Sequence, residues 1–274
     1  MTREIIIDIH NHSEYSVDGS YTVMKMCQTA REKGVRIYAI TDHYDISGDR
    51  IDFSDMDKAL SKSVSDTVAA AERFEKDMQV LVGIELGQPS ENEAKADEVL
   101  SAHPFDFVIG AIHNAPGRPD LYFYARDKES IDLDYELELY FSAYLDKVKW
   151  GKFDSAAHLG YPFRYIVPAC PAYDVSKWDD HMEAVLKALV EKGLGIEINT
   201  SGIAKNPPYT TPGAKWIKRF KELGGEKLTL GSDAHSPGQI AIGLREGMEI
   251  AADAGFSYLC YFIDRKAQYL SLKK

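Results

Sequence analysis

Short apolar runs alternate with amphipathic stretches along almost the whole of this chain of 274 residues. The run over residues 4–10 is short and rich in β-branched residues, which is typical of a buried strand. The predicted strands cover residues 4–10, 36–43, 79–87, 105–114, 153–160, 194–202, 227–235 and, at the end, 257–264. The stretches between them have helical spacing and predict helices over residues 22–34, 56–77, 92–103, 134–151, 178–193, 212–225 and 239–254. Strand-helix alternation of this length predicts parallel strands joined by right-handed crossovers.

Polar and small residues mark where several of these elements stop. Asn92 stands at the start of a predicted helix, where its side chain can cap the first turn. Gly34 follows another predicted helix, at a position that favours a left-handed backbone. Residues 115–133 contain two prolines and many polar groups. They predict a long loop of the kind that often carries function.

Histidines and acids stand near the downstream ends of most predicted strands, and six of the eight histidines belong to this set. The nine candidate metal ligands are His10, His12, Asp18, His43, Glu85, His113, His158, Asp233 and His235. The carboxyl ends of all strands meet on one rim in an α/β barrel, whereas an open doubly wound sheet concentrates its site at one switch point. Because the candidates are spread over so many strands, we predict an α/β barrel of about seven repeats. We expect it to form a single domain over residues 1–274, with the open sheet as the alternative.

The composition is that of an ordinary globular protein. Apolar residues make up 45% of the chain, which is long enough to bury a full core. The net charge is −11, from 43 acidic against 32 basic residues, and this argues against general affinity for nucleic acid or an anionic membrane. An anionic substrate is still compatible with this charge, because bound divalent cations would reverse its sign inside the pocket.

The cysteines and the apolar segments bear on the compartment. Cys27, Cys170 and Cys260 form no CxxC pair, and their odd number argues against a disulfide framework. The sequence has no signal-like N-terminal segment and no apolar stretch of the roughly 18–20 residues that a transmembrane helix needs. We therefore expect a cytoplasmic protein with neither a membrane nor a nucleic-acid partner. The sequence does not determine the oligomeric state.

Two pairs of candidate ligands have a spacing of two residues. In a strand this spacing puts both side chains on one face, so that His10 and His12 can bind the same ion. Asp233 and His235 repeat the pattern at the end of the strand over 227–235. A lone pair of histidines of this kind is about as often a hydrogen-bonded structural pair, and the acids nearby favour the metal site here.

Neighbouring residues at strand ends must face opposite ways, which separates Asp42 from His43. We expect His43 to face the site and Asp42 to fix the backbone or to orient a group that supports the ligands from outside the site. Glu85 follows an apolar run, where a buried acid needs a partner or a metal, and we predict that it bridges two ions. His103, at a helix end, and His181, in a polar helical stretch, are expected not to bind metal.

Imidazole and carboxylate groups together suit Zn²⁺, Mn²⁺ or Fe²⁺. Nine ligands are too many for one ion, and with shared carboxylates and open positions they fit three. Such a cluster suits the hydrolysis of a phosphate ester, because bound ions acidify water and neutralise phosphoryl oxygens. The sequence contains no GxSxG elbow, Walker A loop or GxGxxG motif that would indicate another chemistry.

As a set, the HxH motif, TDH at 41–43, the glutamate after the third strand, the two lone histidines and the final DAH resemble the PHP (polymerase and histidinol phosphatase) superfamily over nearly the whole chain. The resemblance implies a distorted (β/α)₇ barrel with three divalent ions and a hydroxide that bridges two of them as the nucleophile. It implies one ion at His10, His12, Glu85 and Asp233, a second at Glu85, His113 and His158, and a third at Asp18, His43 and His235. The predicted catalytic residues are Asp18, His43, Glu85, Asp233 and His235.

Within the superfamily, the segments 158–165, 196–202 and 228–235 resemble the stand-alone histidinol-phosphatases. This likeness implies a phosphomonoesterase of histidine biosynthesis whose small-molecule substrate is L-histidinol phosphate, with Arg164 and Lys205 as substrate-binding residues. Ala204 and Lys205 stand where an Arg-Lys pair is common in such enzymes, and a lysine offers a point charge instead of a bidentate fork. Further phosphate-binding candidates are Arg118 and Arg126. Tyr122, Phe123 and Tyr124 are candidates for a pocket wall.

Two other function classes remain open at this stage. The missing arginine at position 204 favours a PHP phosphoesterase for another small ester, such as a nucleotide or sugar phosphate. A nuclease role is less compatible with the acidic charge. A non-catalytic metal-binding domain is the third possibility, although none of the nine ligands is missing.

Overall fold

The computed structural model describes residues 6–47, 52–120, 122–123 and 131–272. Its strands are β1 (Ile6–Asp8), β2 (Val35–Ile40), β3 (His43–Asp45), β4 (Gln79–Gly87), β5 (Phe107–Ala111), β6 (Ser155–Ala156), β7 (Gly195–Asn199), β8 (Leu228–Gly231), β9 (Tyr258–Ile263) and β10 (Lys266–Ser271). Its α-helices are α1 (Val23–Glu32), α2 (Ser54–Phe74), α3 (Glu93–Ala102), α4 (Leu133–Trp150), α5 (Phe163–Ala169), α6 (Asp179–Glu191), α7 (Ala214–Glu222) and α8 (Leu244–Asp253).

The first eight strands form one sheet whose neighbours are all parallel, in the order β1-β2-β4-β5-β6-β7-β8. The short β3 continues the path of β2 alongside β4, so the sheet has seven strand positions. Backbone hydrogen bonds join the two ends of the sheet, from Ile9 N to Leu230 O (3.2 Å) and from Asp233 N to His10 O (2.8 Å). The sheet is therefore a (β/α)₇ barrel, as predicted, and the open-sheet alternative is wrong.

The barrel strands are buried on both faces, which explains their nearly continuous apolar sequences. In β4 every residue after Gln79 is buried. Buried aliphatic and aromatic side chains of the barrel and its helices form a large cluster and a smaller one, the smaller lying between α1, the end of α2 and strands β2 and β4. Glu85 is the charged residue within this strand, with no exposed surface. Its carboxylate can be accommodated there because it lies at the end of the barrel where the histidines gather.

Most of the observed strands are shorter than their apolar runs, and two of them depart furthest from the prediction. The run over 36–43 divides into β2 and β3, and the run over 153–160 retains two residues in β6. Beyond β6 the backbone turns, because His158 has a φ of +24° and Gly160 a φ of +88°. Helix α5 follows and lies outside every predicted helix. Pro162 immediately precedes its first turn, where a missing N–H has no intrahelical partner to lose.

The last predicted strand, over 257–264, does not join the barrel. It is β9, and it pairs antiparallel with β10 in a separate two-stranded sheet. Asp264 and Arg265 form the turn, with φ values of +48° and +62°, the handedness that tight hairpins prefer. Arg265 Nε donates to Asp154 Oδ2 at 2.5 Å, and Arg265 N donates to Asp106 O at 3.0 Å. The hairpin thereby covers the barrel end where β5 and β6 begin, opposite the histidines.

Local predictions about helix ends are confirmed. Asn92 caps α3, and its side chain accepts a hydrogen bond from Lys95 N at 3.1 Å. Gly34 lies just beyond α1 with a φ of +84°. The three cysteines are unpaired. Within the described residues, no helix combines the length and apolar character needed to span a membrane.

Candidate metal centre

The predicted ligands gather at the carboxyl ends of the barrel strands. His10 and His12 follow β1, His43 begins β3, and Glu85 lies in β4. Further along the chain, His113 follows β5, His158 follows β6, and Asp233 and His235 follow β8. Asp18 lies in the loop before α1, and its side chain is 55% exposed at the mouth of the cluster. The barrel therefore brings together side chains that are more than 200 residues apart in sequence.

Glu85 lies at the centre of the cluster, and its two oxygens face different groups of ligands. Glu85 Oε1 lies 2.8 Å from His158 Nε2 and 3.2 Å from His113 Nε2. Glu85 Oε2 lies 3.2 Å from His10 Nε2 and 3.4 Å from His12 Nε2. This division is the geometry of a carboxylate that can bridge two ions, with one oxygen directed to each.

Asp233 adds a second carboxylate to the group around His10 and His12. Its Oδ1 lies 3.2 Å from His12 Nε2 and 3.7 Å from His10 Nε2. The two imidazole centroids are 5.1 Å apart, and both Nε2 atoms face the same acids, as the spacing of two residues predicts. Asp233 has a φ of +55°, and with His158 it is a non-glycine residue held in the left-handed region at this site. Backbone strain of this kind often accompanies function.

The third predicted group lies nearer the mouth. His235 Nε2 is 3.1 Å from Asp18 Oδ2, and His43 Nε2 is 3.7 Å from Asp18 Oδ1. His43 Nδ1 is also 2.8 Å from Glu85 Oε2, so this imidazole lies between the central acid and Asp18. The His12 ring packs against the rings of His43 and His235, with both centroid distances 4.1 Å.

Four overlapping triplets of these side chains place their ligand atoms within 4.8 Å of one another. They are His10-His12-Asp233, His10-Glu85-His158, His43-Glu85-His113 and His12-His43-His235. Several of the converging atoms are buried and lie 2.8–3.2 Å from an acid or imidazole atom without forming an aligned hydrogen bond, namely His10 Nε2, His12 Nε2, His43 Nδ1, Glu85 Oε2 and His235 Nε2. Lone pairs that face one another in this way need cations between them. The residues present therefore fit divalent metal ions.

Electrostatics within the cluster are dominated by burial and by the mixture of acids and imidazoles. Burial opposes the charged forms of Glu85 and Asp233, yet the surrounding histidines hold the pKa of both carboxyls well below their usual range. Burial and the neighbouring histidines lower the pKa of His12. Burial acts in the same direction on His43, but Glu85 outweighs it and raises the pKa of His43 to about 9.

Three predicted histidine ligands are oriented by polar contacts to Nδ1, the ring nitrogen that faces away from the cluster. Glu197 Oε1 lies 2.6 Å from His10 Nδ1, and Asp45 Oδ1 lies 3.0 Å from His113 Nδ1. Ser16 Oγ lies 3.1 Å from His12 Nδ1 and donates to Asp42 Oδ1 at 2.8 Å. Asp42 therefore orients a ligand through Ser16, in agreement with its expected role.

Sequence reasoning missed Glu197 and Asp45. Glu197 interrupts an apolar run, which is the same signal that singled out Glu85. Asp45 ends a three-residue strand that the sequence did not separate from β2. Carboxylates that hold the second nitrogen of a metal-binding imidazole are a usual feature of metal sites.

Arg164 lies beside the cluster, and its side chain is 11% exposed. One guanidinium nitrogen is 3.6 Å from Asp233 Oδ2, and another donates to Asn199 Oδ1 at 3.4 Å. Its guanidinium carbon lies 5.0 Å from the ring centre of Tyr161. Arg164 Nε is buried without a hydrogen-bond partner. A cation with a spare donor at the edge of the cluster can bind an anionic group there.

Other predicted substrate contacts lie farther from the ligands. Lys205 is exposed in the loop after β7, and among the described residues its side chain joins none of the contacts that hold the cluster. Arg118 forms a two-pronged ion pair with buried Glu136. Tyr122 packs edge-on against Tyr165, with ring centroids 5.6 Å apart, whereas Phe123 is about half exposed. Tyr124 and Arg126 lie outside the described residues.

The two histidines expected not to bind metal lie elsewhere. His103 follows α3, with Nε2 3.5 Å from Ser61 Oγ. His181 lies in α6, where it packs against Trp178 at a centroid distance of 4.8 Å. Neither belongs to any of the four triplets.

Tyr161 packs against two of the predicted ligands. Its ring centre lies 5.0 Å from that of His158 and 5.3 Å from that of His113. Its hydroxyl donates to Asp120 Oδ1 at 3.2 Å and accepts from Tyr165 at 3.2 Å. A half-buried carboxylate is thus held one tyrosine side chain away from two ligands. Asp120 can attract a cationic group on a molecule bound at the cluster.

Comparison with known proteins gives a consistent family. Residues 8–201, more than half of the chain, match the sequence profile of the PHP domain. The chain is 26% identical over 277 residues to a probable histidinol-phosphatase of Clostridium acetobutylicum, covering 97% of this chain and 100% of that protein. It is also 26% identical over 266 residues to a histidinol-phosphatase of Lactococcus lactis, covering 95% of each.

A solved structure supports the same fold. The histidinol phosphate phosphatase of Lactococcus lactis, crystallised with Zn, L-histidinol and phosphate, has a TM-score of 0.82 to this chain at 24% identity. The superposition covers 96% of this chain and 98% of that one. The two proteins therefore share the barrel over nearly their full lengths.

Proposed function

Because the chain belongs to the PHP domain family, we propose that it is a metal-dependent phosphomonoesterase that hydrolyses L-histidinol phosphate to L-histidinol and phosphate. This reaction would place the protein in histidine biosynthesis. We also propose that residues 1–274 work as a single domain. The contacts of β1 with both β8 and α8 support this, since they join the first and last elements of the barrel.

The observation that carries the proposal is that the two oxygens of Glu85 face different sets of histidines. Oε1 faces His113 and His158, and Oε2 faces His10, His12 and His43, at distances between 2.8 and 3.4 Å. The buried, unpartnered atoms around this carboxylate are those that ligate Zn²⁺, Mn²⁺ or Fe²⁺. A purely structural histidine cluster would pair its nitrogens with protein acceptors and donors.

We propose three divalent ions, held by the three ligand groups that the family resemblance implies. Asp233 joins His10, His12 and Glu85 in the first group, and Asp18 joins His43 and His235 in the third. When bound, such ions supply an activated water nucleophile and neutralise the charge on the phosphoryl oxygens. Asp18, at the exposed mouth, has a pKa lowered to about 2 by His235 and His43 against the effect of burial. It therefore remains a carboxylate throughout the neutral range.

Arg164 is proposed to bind the phosphoryl group. Its charge lies beside Asp233, and its Nε is buried without a hydrogen-bond partner. A guanidinium can contact two phosphoryl oxygens at once, which fixes the orientation of the ester as well as neutralising its charge. Tyr161 packs against Arg164 and limits its movement.

The leaving group of histidinol phosphate carries an ammonium and an imidazole, and Asp120 offers a matching charge. This carboxylate accepts hydrogen bonds from the Tyr161 hydroxyl and from Tyr122 N, which hold it in place without neutralising it. We propose that Asp120 attracts the cationic end of the substrate while the phosphate lies at the metal cluster. The names of the curated relatives favour the same substrate.

The direct test is phosphate release from L-histidinol phosphate by Zn- or Mn-reconstituted protein. We expect a kcat/KM above about 10⁴ M⁻¹s⁻¹, the low end for enzymes acting on their own substrate. Removal of the metal with a chelator should abolish turnover, and readdition should restore it. A metal-loaded protein that hydrolyses other esters but not this one would contradict the substrate assignment.

A second candidate is a phosphatase for another small ester, such as a sugar or nucleotide phosphate. It is favoured by the loop after β7, where Ala204 and Lys205 are both exposed and provide no fixed second guanidinium. Replacing Ala204 with Arg should raise activity on histidinol phosphate if that group is what the site lacks. An unchanged kcat/KM would count against this explanation.

A further inference from the structure

Strand β7 contributes none of the nine predicted ligands, although it lies between β6 and β8, which do. It nevertheless carries two buried polar side chains, Glu197 and Asn199, that are 1% and 0% exposed. Their spacing of two residues puts them on the same face of the strand. Ile196 and Ile198, on the other face, are fully buried in the apolar cluster.

The two carboxylate oxygens of Glu197 hold ligands that belong to different ion positions. Oε1 lies 2.6 Å from Nδ1 of His10, whose Nε2 faces Glu85 Oε2. Oε2 accepts a hydrogen bond of 2.9 Å from the backbone N–H of His158, whose Nε2 faces Glu85 Oε1. Glu85 contacts the ligand nitrogens of His10 and His158 that face the cluster. Glu197 contacts the same two residues on the side that faces away from the cluster, and so it connects the same two groups of ligands.

The contact with His10 decides which nitrogen of that ring can bind an ion. A carboxylate accepts hydrogen bonds, so Nδ1 carries the proton and Nε2 presents its lone pair towards Glu85 and Asp233. The contact is charge-assisted, and it also increases the basicity of the imidazole as a ligand.

The contact with His158 acts on the backbone. His158 has a φ of +24°, a conformation that a β-carbon disfavours and that surrounding contacts must hold in place. The hydrogen bond from its N–H to Glu197 is one such contact, and it fixes where the ring projects. Losing it would let the loop after β6 relax away from Glu85.

Asn199 extends the same row towards the phosphate-binding edge. Its Nδ2 donates to Asp233 Oδ2 at 3.1 Å and lies 3.3 Å from Glu197 Oε2, while its Oδ1 accepts from Arg164. The Asn199 amide thus contacts both carboxylates and holds Glu197 and Asp233 in fixed positions relative to each other.

We propose that Glu197 is a positioning residue that sets the metal affinity of two ion positions at once, through the ring of His10 and the backbone of His158. The inference rests on the proposed metal-dependent function but concerns metal binding itself. Removing the charge of Glu197 should weaken both positions together, because a single side chain holds a ligand of each.

The experiment compares the wild-type protein with Glu197→Gln and Glu197→Ala. Zinc stoichiometry is measured by elemental analysis and zinc dissociation constants by competition with a chromophoric chelator. We expect Glu197→Gln to bind zinc 10–100-fold more weakly at two sites, the range typical for partners of metal-binding histidines. The visible absorption of the Co²⁺-substituted protein should change in band position or intensity. Glu183→Gln, which removes a glutamate paired with Arg219 on the surface, serves as the matched control.

Restoring the activity of Glu197→Gln with excess zinc would distinguish a positioning role of Glu197 from a purely structural one. Raising the free zinc concentration should restore the kcat of Glu197→Gln towards the wild-type value, because the weakened positions are refilled. Unchanged zinc affinities and an unchanged Co²⁺ spectrum in folded Glu197→Gln would overturn the proposal, as would a loss of turnover that excess zinc does not repair. Because Gln is nearly isosteric with Glu, the Glu197→Gln variant still tests the proposal if Glu197→Ala does not fold. The affinities are measured without substrate, so they hold even if histidinol phosphate proves not to be the substrate.

Discussion

A guanidinium nitrogen of Arg164 lies 3.6 Å from Oδ2 of Asp233, so the proposed phosphate-binding cation is a direct neighbour of a predicted metal ligand. Asn199 contacts both side chains and holds them in place. An ester bound between them would have its phosphoryl oxygens shared between the guanidinium and the metal cluster.

Replacing Arg164 with Ala should therefore raise the KM for the phosphate ester. We expect kcat/KM to fall by about 30–100-fold, the equivalent of losing one buried charged hydrogen-bond partner. Arg164→Lys should recover little of this loss, because an ammonium cannot form the bidentate contact. Steady-state kinetics and inhibition by inorganic phosphate provide the measurement. Arg219→Ala, on the surface of α7, is the control, and equal effects in the two variants would contradict the assignment.

The bridging position of Glu85 predicts a coupled loss of metal and activity. Glu85→Gln retains the size of the side chain but removes the charge that both oxygens share among five histidines. We expect kcat/KM to fall by more than about 100-fold, beyond the loss typical for residues that merely support a ligand. Elemental analysis should show fewer ions per chain. Full metal content with normal turnover would exclude a bridging role.

Asp120 predicts selectivity for a cationic leaving group. Asp120→Asn should raise the KM for L-histidinol phosphate by about two- to fivefold, as expected for the loss of one partly exposed charge contact. Esters without a positive charge should be unaffected. The comparison is made by phosphate release from both kinds of ester with the same enzyme preparation. A uniform loss on both would indicate that Asp120 acts through Tyr161 and the ligands instead.

The pKa of His43 predicts how metal binding depends on pH. In the metal-free protein, burial disfavours its charged form, but Glu85 outweighs burial and raises the pKa to about 9, so the imidazole is protonated at pH 7. An ion must displace this proton, since a metal-binding imidazole is neutral. Apparent affinity should therefore rise between pH 7 and 9, by about tenfold per pH unit for each displaced proton. Calorimetry in two buffers of different ionisation enthalpy measures the release. His181→Gln should not change it, and a flat profile would show that His43 is already neutral.

We expect a substitution in the C-terminal hairpin to change the stability of the protein without changing catalysis. Arg265 pairs with the nearly buried Asp154 at the barrel end opposite the metal centre. Arg265→Ala should lower the free energy of unfolding by about 1–3 kcal/mol, because Asp154 loses its charged partner. Urea denaturation measures the loss, and kcat/KM should stay within twofold of wild type. Lys149→Ala, which removes an exposed ion pair with Asp146, should cost less than about 0.5 kcal/mol.

Several features could be predicted from the sequence because they depend on short spacing. The strand-helix alternation predicted the barrel, and the two-residue spacing of His10 and His12 predicted that both rings face one site. The opposite directions of Asp42 and His43 followed from the same period. The predicted helix cap at Asn92 needed nothing beyond its own first turn.

Other features needed contacts between distant parts of the chain. Sequence reasoning treated Arg118 as a candidate phosphate contact, whereas the fold pairs it with Glu136. It extended the strand after residue 153 to residue 160, because the apolar run gives no sign of the turn at His158. It gave no role to β7, because the function of Glu197 depends on its contact with His10, which is 187 residues away in sequence.

By itself, the sequence determined the class of fold, the set of nine candidate ligands and the kind of ion they suit, because side-chain chemistry and strand periodicity are local properties. The tertiary structure decided which oxygen of Glu85 serves which histidines and which buried groups, Glu197 and Asp45, hold those rings in place. It also decided that Arg164 lies beside Asp233 while Lys205 faces solvent. These relationships depend on closing the barrel, since that step alone brings the ends of seven strand positions to one rim.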